Sequence, residues 1–315
     1  MGTIGDIYES FMREGKEFPD GEYFYRFLPR NFAEILEQAK RLPRLKYEKG
    51  QITKLKTILK RYHEKLGLLT PKVETHIDSI ENGIILGGQQ TTIFGGSGII
   101  ANKIASIVTL SELSRETENF LVPMFLVNTH DSIQPEITST HFPNNQSSQN
   151  KPIVLDNLVE GVIVNRIQTD NHDWLEENLH IIKNLFNEFK NSIDKNSQKL
   201  FIERIDHVIT FLRETYRSSK DIGEWITLIW GIQANIINDW GVIFFPSSHP
   251  EIRQMTSKGY EPFLKNLQEY AQEFNLAAEK IENMGLQPTT AIKKEDYAPF
   301  FYVCPNDGYR LKLIC

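Results

Sequence analysis

Gly83-Ile84-Ile85-Leu86-Gly87-Gly88-Gln89-Gln90-Thr91-Thr92-Ile93-Phe94-Gly95-Gly96-Ser97-Gly98 is the stretch on which the reading of the fold turns. A short apolar run ends in paired glycines, and after a glycine-rich loop an apolar segment, Ile99 to Leu113, reads as a helix. A second apolar run, Phe120 to Val127, follows without polar alternation, as a strand covered on both faces does. Together they predict a βαβ unit. Such crossovers are right-handed and build parallel sheets whose ligands collect at the carboxyl ends of the strands. Gly87 to Gln90 and Asn128 to Asp131 are therefore expected to be neighbours. A third buried-type strand, Gly241 to Phe245, ends at Pro246-Ser247-Ser248-His249-Pro250 and is expected to bring further polar groups to the same edge.

Working outward, residues 1–82 read as amphipathic helices, with Asn31 capping Phe32 to Leu42, because Glu34 sits three residues on. Ile52, Leu55, Ile58, Leu59, Tyr62 and Leu66 continue at helical spacing, and Gly67 stops that helix. Residues 132–152 are polar and proline-bearing, which predicts an exposed loop. A strand is expected over Val162 to Ile167, then helices around Leu175 to Phe186, Lys199 to Arg217 and Ile222 to Trp240. After the third strand, a helix is expected over Pro250 to Met284, then a hairpin of Phe300 to Val303 and Tyr309 to Ile314 turning at Asn306-Asp307-Gly308. The expected organisation is an α/β fold: an amino-terminal helical segment (1–82), a first βαβ unit (83–140), an inserted helical module (141–240) and a return to the core (241–315).

The balance of 35 basic against 41 acidic residues, net −6, leaves no electrostatic footprint for a nucleic-acid backbone. The apolar runs are far shorter than the ~20 residues a membrane-spanning helix needs. Asp6, Glu9 and Glu14 stand where a secretory leader would carry a positive flank. These features predict a cytoplasmic protein with a small-molecule substrate. The two cysteines, Cys304 and Cys315, support neither a disulfide framework nor a thiolate metal site. Trp225 and Trp230 lie in an apolar helix and are expected in the core.

The glycines from Gly88 to Gly98 would let backbone N–H groups approach an anion just before a helix amino terminus, or would serve only tight turns and helix packing. The segment is neither a dinucleotide fingerprint nor a Walker loop. His130 beside Asp131 suits a general base at a strand end, or a loop histidine bonded to backbone. Asp131 and Glu136 would hold a metal or orient a substrate amine, and His249 is a further polar group at a helix start. His172 and Asp173 sit in a polar turn with no second ligand at metal spacing, and no metal is assigned.

Gly88-Gln89-Gln90, then Phe94, Gly96 and Lys103, resemble the Thr-Gly-Gln-Gln loop, the following turn and the helix lysine of the cysteine-adding ligase family of bacillithiol biosynthesis. Val122-Pro123-Met124-Phe125 is similar to that family's Val-Pro-Val-Phe strand, and Gly241 to Phe245 and Asn306 to Leu313 to its later strand and hairpin. The family's Glu-Asp-His-Asp cluster is replaced: without gaps Asp131 and Glu136 match and Ser132 takes the histidine's place, whereas shifts of two residues match His130-Asp131. The resemblance extends to a Rossmann-like sheet and stops before the family's carboxy-terminal sheet and coiled coil. It implies a ligase joining cysteine to glucosaminyl-malate, with ATP or another nucleotide as the activating donor. His130 and Asp131 would be catalytic, and Gly88, Gln89, Gln90, Gly96, Ser97, Gly98, Lys103, Asn128, Glu136 and His249 would bind substrate or nucleotide. Alternatives are a non-catalytic relative that binds a nucleotide or sugar acid, and a nucleotidyltransferase acting on another small acid. Without the coiled coil, a monomer or weak dimer is expected, or pairing with a separate chain that supplies the missing part.

Overall fold

The computed structural model describes residues 2–3, 29–42, 49–117, 120–156, 158–288, 292–294 and 296–314; the sequence expectations that fall on 4–28, 43–48 and Cys315 lie outside them. The chain forms two units, one of residues 1–46, 254–302 and 311–315 and the other of 47–253 and 303–310. The first unit begins with β1 (Gly2–Thr3) and α1 (Phe32–Arg41). Asn31 caps α1 as its spacing to Glu34 predicts: its side chain accepts from the Glu34 N–H, and the Glu34 carboxylate accepts from the Arg30 N–H.

The second unit carries the sheet. It opens with α2 (Lys49–Lys65), which ends at Gly67 in the left-handed region, and α3 (Pro71–Asp78). Next come β2 (Ile84–Gln90), α4 (Gly98–Ser114) and β3 (Val122–Asn128). In place of the expected exposed loop, α5 (Pro135–Thr138) leads into an antiparallel hairpin of β4 (Ser139–Phe142) and β5 (Lys151–Val154), with the polar run 144–150 as its turn. The strand expected over Val162 to Ile167 is replaced by isolated bridges and a short 3-10 turn, because Val162 and Ile163 pair with Tyr309 and Ser132 rather than with a sheet. The helical module is α6 (His172–Glu188), α7 (Gln198–Arg217) and α8 (Ile222–Gly231). α8 runs on as a π-turn over Ile232–Ile237 and stops short of Trp240, where Asp239 and Gly241 take positive φ. β6 (Ile243–Phe245) closes the sheet, and α9 (Pro250–Thr256) follows.

The order is β2-β3-β6, all parallel, with Gln90 beside Asn128 and Leu126 beside Phe245. This is the expected Rossmann-like α/β arrangement, and the three carboxyl ends lie at one edge. Side chains alternate between the faces. Phe125, Val127 and Phe244 enter a core with α4 and the helical module, which includes buried Trp225. Val122, Met124 and Ile243 pack on the opposite face against Leu59 of α2 and Val73 and Ile77 of α3. Helices thus pack on both faces of β3 and β6. The free edge of β6 is occupied by His63 of α2, whose Nε2 accepts the Phe244 N–H at 3.0 Å while Nδ1 bonds the Leu59 carbonyl at 2.8 Å. Burial holds that imidazole neutral and lowers its pKa to about 4.

The rest of the first unit comprises α10 (Glu261–Lys265), α11 (Leu267–Asn283), β7 (Leu286–Gln287), paired with β1, and most of β8 (Tyr297–Val303) and β9 (Arg310–Ile314), whose Val303 and Arg310 belong with the hairpin turn to the second unit. The single helix expected from Pro250 to Met284 is broken at 257–260 and at Asn266. Gly259 and then Pro262, which lacks an N–H, punctuate it. The terminal hairpin forms as its turn signal predicts, with Gly308 at φ 77°.

Candidate functional site

The glycine-rich loop is built from behind. Phe94 has left-handed dihedrals (φ 58°, ψ 21°), a conformation costly for a residue with a side chain, and it is held there by its ring. That ring packs 5.1 Å from Trp225 and 5.6 Å from Trp174 between centroids. Thr140 Oγ1 donates to the Ile93 carbonyl at 2.6 Å and Trp230 Nε1 to the Gly95 carbonyl at 2.9 Å. The loop is therefore preorganised by the helical module.

Its glycines differ in what they do. A Cβ on Gly96, at φ +69°, would stand 2.9 Å from Thr92 Cβ, and one on Gly87 would stand 3.0 Å from Ile107 of α4. A Cβ on Gly88 would meet Leu126 at 3.2 Å. A side chain at any of these three positions would crowd its neighbours. A Cβ on Gly98, the first residue of α4, would meet nothing within 4 Å, and Ser97 before it caps the helix without a side-chain bond. The amino terminus of α4 is thus open, with N–H groups and the positive end of its dipole available to an anion.

The two glutamines part company. Gln89 points to the α4 side, where its Oε1 accepts from Lys103 Nζ at 2.6 Å, and the same ammonium lies 3.3 Å from the Gly88 carbonyl. Gln90 points to the other face, where Asp131 gathers donors. Asp131 Oδ2 accepts from Asn128 Nδ2 at 2.8 Å and Gln90 Nε2 at 3.2 Å, while Oδ1 accepts from Arg310 Nη1 at 3.1 Å. The sequence reading missed Arg310, which lies 179 residues from Asp131 along the chain. Only its place in the hairpin matched by the resemblance pointed toward it.

His130 sits between the ends of β3 and β6. Its N–H donates to Asn128 Oδ1 at 3.3 Å. Burial lowers the pKa of its ring, as do the charges of Arg253 and Arg310, against the opposing pull of hydrogen bonding at the Ser247 backbone and of Asp131. The imidazole is therefore neutral at pH 7. His249 donates its backbone N–H to the Pro246 carbonyl in the turn before α9. The side chain of Glu136 lies outside the described residues. Thr91 after β2, Thr129 after β3, and Ser247 and His249 after β6 each bury a polar side-chain atom without a partner among the described residues. Buried polar atoms are otherwise almost always bonded, so their convergence on the strand ends marks a polar region set apart from the core. No group of three or more acidic, histidine or cysteine side chains placed to hold a metal occurs among the described residues. No helix among them is long and apolar enough to cross a membrane.

The family described as "Bacillithiol biosynthesis BshC, N-terminal Rossmann-like domain" matches residues 7–314. Among curated proteins, one named "Putative cysteine ligase BshC" from Staphylococcus epidermidis is 26% identical over 229 residues, which are 71% of this chain and 39% of the relative. A protein of the same name from Staphylococcus haemolyticus is 26% identical over 267 residues, 84% of this chain and 45% of that one. The chain thus spans less than half the length of these relatives.

Proposed function

Since the chain belongs to the bacillithiol-biosynthesis BshC family through its N-terminal Rossmann-like domain, we propose that it takes part in joining cysteine to glucosaminyl-malate, with substrate held at the carboxyl ends of β2, β3 and β6. The observation that carries this reading is the convergence of Gln90, Asn128, His130 and Asp131 at the ends of β2 and β3, from which the glycine-rich loop runs to the amino terminus of α4.

The open α4 terminus at Ser97 and Gly98 and the nearby Lys103 ammonium fit a phosphate group, so these residues would hold a nucleotide. When bound, a nucleotide would supply activation of the cysteine carboxylate. Amide formation requires the attacking amine to lose a proton, and His130, neutral at its ring, is the group suited to receive it. Asp131 has both carboxylate oxygens engaged by donors, so its role is to hold Gln90 and Asn128 in place.

Cysteine-dependent consumption of glucosaminyl-malate, followed by mass spectrometry with a nucleotide present, tests the reading. His130→Ala is expected to leave glucosaminyl-malate binding within a few fold and to lower turnover roughly 10²–10⁴-fold, the span for a lost general acid or base. Unchanged turnover in that variant would remove His130 from the role.

A second reading rests on the outer edge of β2. Doubly wound sheets flank their first strand on both sides, whereas β2 pairs only with β3 among the described residues. Its Ile84 and Leu86, on the face that α2 and α3 cover over β3 and β6, are 43% and 57% exposed. In this reading the chain binds its ligand but turns over only with a further strand added beside β2 by a separate chain. Product formed by the chain alone would exclude it.

A further inference from the structure

The loop after β3 is tied to the terminal hairpin through residues 161–164. Ser132 bridges to Ile163 and Val162 to Tyr309, both antiparallel. The Val164 N–H bonds the Asp131 carbonyl at 3.1 Å, the Ile163 N–H the Gly308 carbonyl at 3.1 Å and the Arg310 N–H the Gly161 carbonyl at 2.8 Å. This backbone ladder places the Arg310 side chain against Asp131, and each of the two side chains is only 20% exposed. From these contacts we infer that Arg310 is a positioning residue of the strand-end site: by fixing the Asp131 carboxylate it sets the orientation of the Gln90 and Asn128 carboxamides. The inference deepens the functional reading above and rests on it only for the identity of the ligand.

The amide orientations follow from chemistry. A carboxylate oxygen only accepts, so the groups facing Asp131 Oδ2 must be the NH₂ ends of Asn128 and Gln90. Asn128 Oδ1 is then committed to the His130 N–H. Gln90 Nε2 is shared between Asp131 and Gln134 Oε1, which leaves its carbonyl oxygen, bonded to no described residue, as the acceptor offered to a ligand donor such as an amine. Without the guanidinium, the carboxylate loses its partner on Oδ1 and is free to rotate, and both carboxamides lose their fixed acceptor. The same guanidinium adds positive charge near His130, so its removal raises the pKa of that imidazole.

Two measurements on the whole chain decide the matter, and the first needs no ligand. Nuclear magnetic resonance of Arg310→Gln is expected to move the Gln90 side-chain amide signals toward those of a solvent-exposed glutamine and to raise the His130 pKa. Unmoved Gln90 signals in a folded variant would overturn the proposal. If Arg310→Gln does not fold, Arg310→Lys, which keeps the charge but lacks the planar fork, is read on the Gln90 signals with the same two outcomes. The second measurement is calorimetry with glucosaminyl-malate on wild type, Arg310→Gln, Gln90→Ala and the double variant. Each single change is expected to weaken binding about tenfold and the double change no further, as for groups acting as one unit; multiplied effects would overturn the proposal. If wild type does not bind glucosaminyl-malate, the functional reading fails while the first measurement still decides the role of Arg310.

Discussion

At the scale of single residues, the glycine-rich loop separates packing from function. Gly96→Val forces a branched side chain into φ +69° and against Thr92 and Ile100, so denaturation should show a loss of about 2 kcal/mol or more. A Cβ at Gly98 meets nothing within 4 Å, so Gly98→Val should change stability by no more than about 0.5 kcal/mol. Phe94→Ala empties a place among Phe142, Trp174 and Trp225 and is expected to cost about 3–4 kcal/mol. The sequence marks this loop as important but cannot say which glycine does what, because each answer depends on a neighbour brought by the fold: Ile107 for Gly87, Leu126 for Gly88, Thr92 for Gly96. Arg310 was invisible for the same reason, since no local pattern connects it to Asp131.

At the scale of elements, α2 and β6 are joined by a titratable link. His63 must be neutral to accept the Phe244 N–H at Nε2, and burial, the larger effect, also opposes its charging. His76 of α3 is similarly placed, with Nδ1 on the Gly241 carbonyl and Nε2 facing Arg115, and burial lowers its pKa as well. A histidine whose folded pKa is depressed binds protons more readily unfolded. Its contribution is therefore fully present above the unfolded pKa of about 6.5 and is lost as pH falls toward about 4. Urea denaturation between pH 7.5 and 4.5 should show stability flat above about 6.5 and then falling by about 1.4 kcal/mol per unit for His63 alone. His63→Gln should flatten that slope, and a slope unchanged by the substitution would contradict the assignment. The helices themselves were legible where local chemistry ends them, as at Asn31 with Glu34 and at Gly67. Val162 to Ile167 was not, because its apolar pattern suits a strand while its actual partners are single residues of two distant segments.

At the scale of the whole molecule, the parallel order and the meeting of three strand ends followed from the apolar runs and the handedness of crossovers, and the structure places Gln90 beside Asn128 accordingly. What the sequence could not convey is that Gln89 and Gln90 serve opposite faces of the sheet, each with its own charged partner, Lys103 and Asp131. The uncovered Leu86 and Ile84 of β2 belong to this scale too. Leu86→Lys should leave the isolated chain folded and should block the turnover gained from any added strand, while activity gained equally by variant and wild type would exclude docking at that edge. Whether the strand ends and the α4 terminus hold the ligand is decided by calorimetric titration of glucosaminyl-malate and of ATP, each separately, into wild type and Gly98→Val. Wild type is expected to bind at least one of them, and Gly98→Val, melting at the same temperature, to bind it about tenfold or more weakly; wild type binding neither, or the variant binding as tightly, would overturn the assignment.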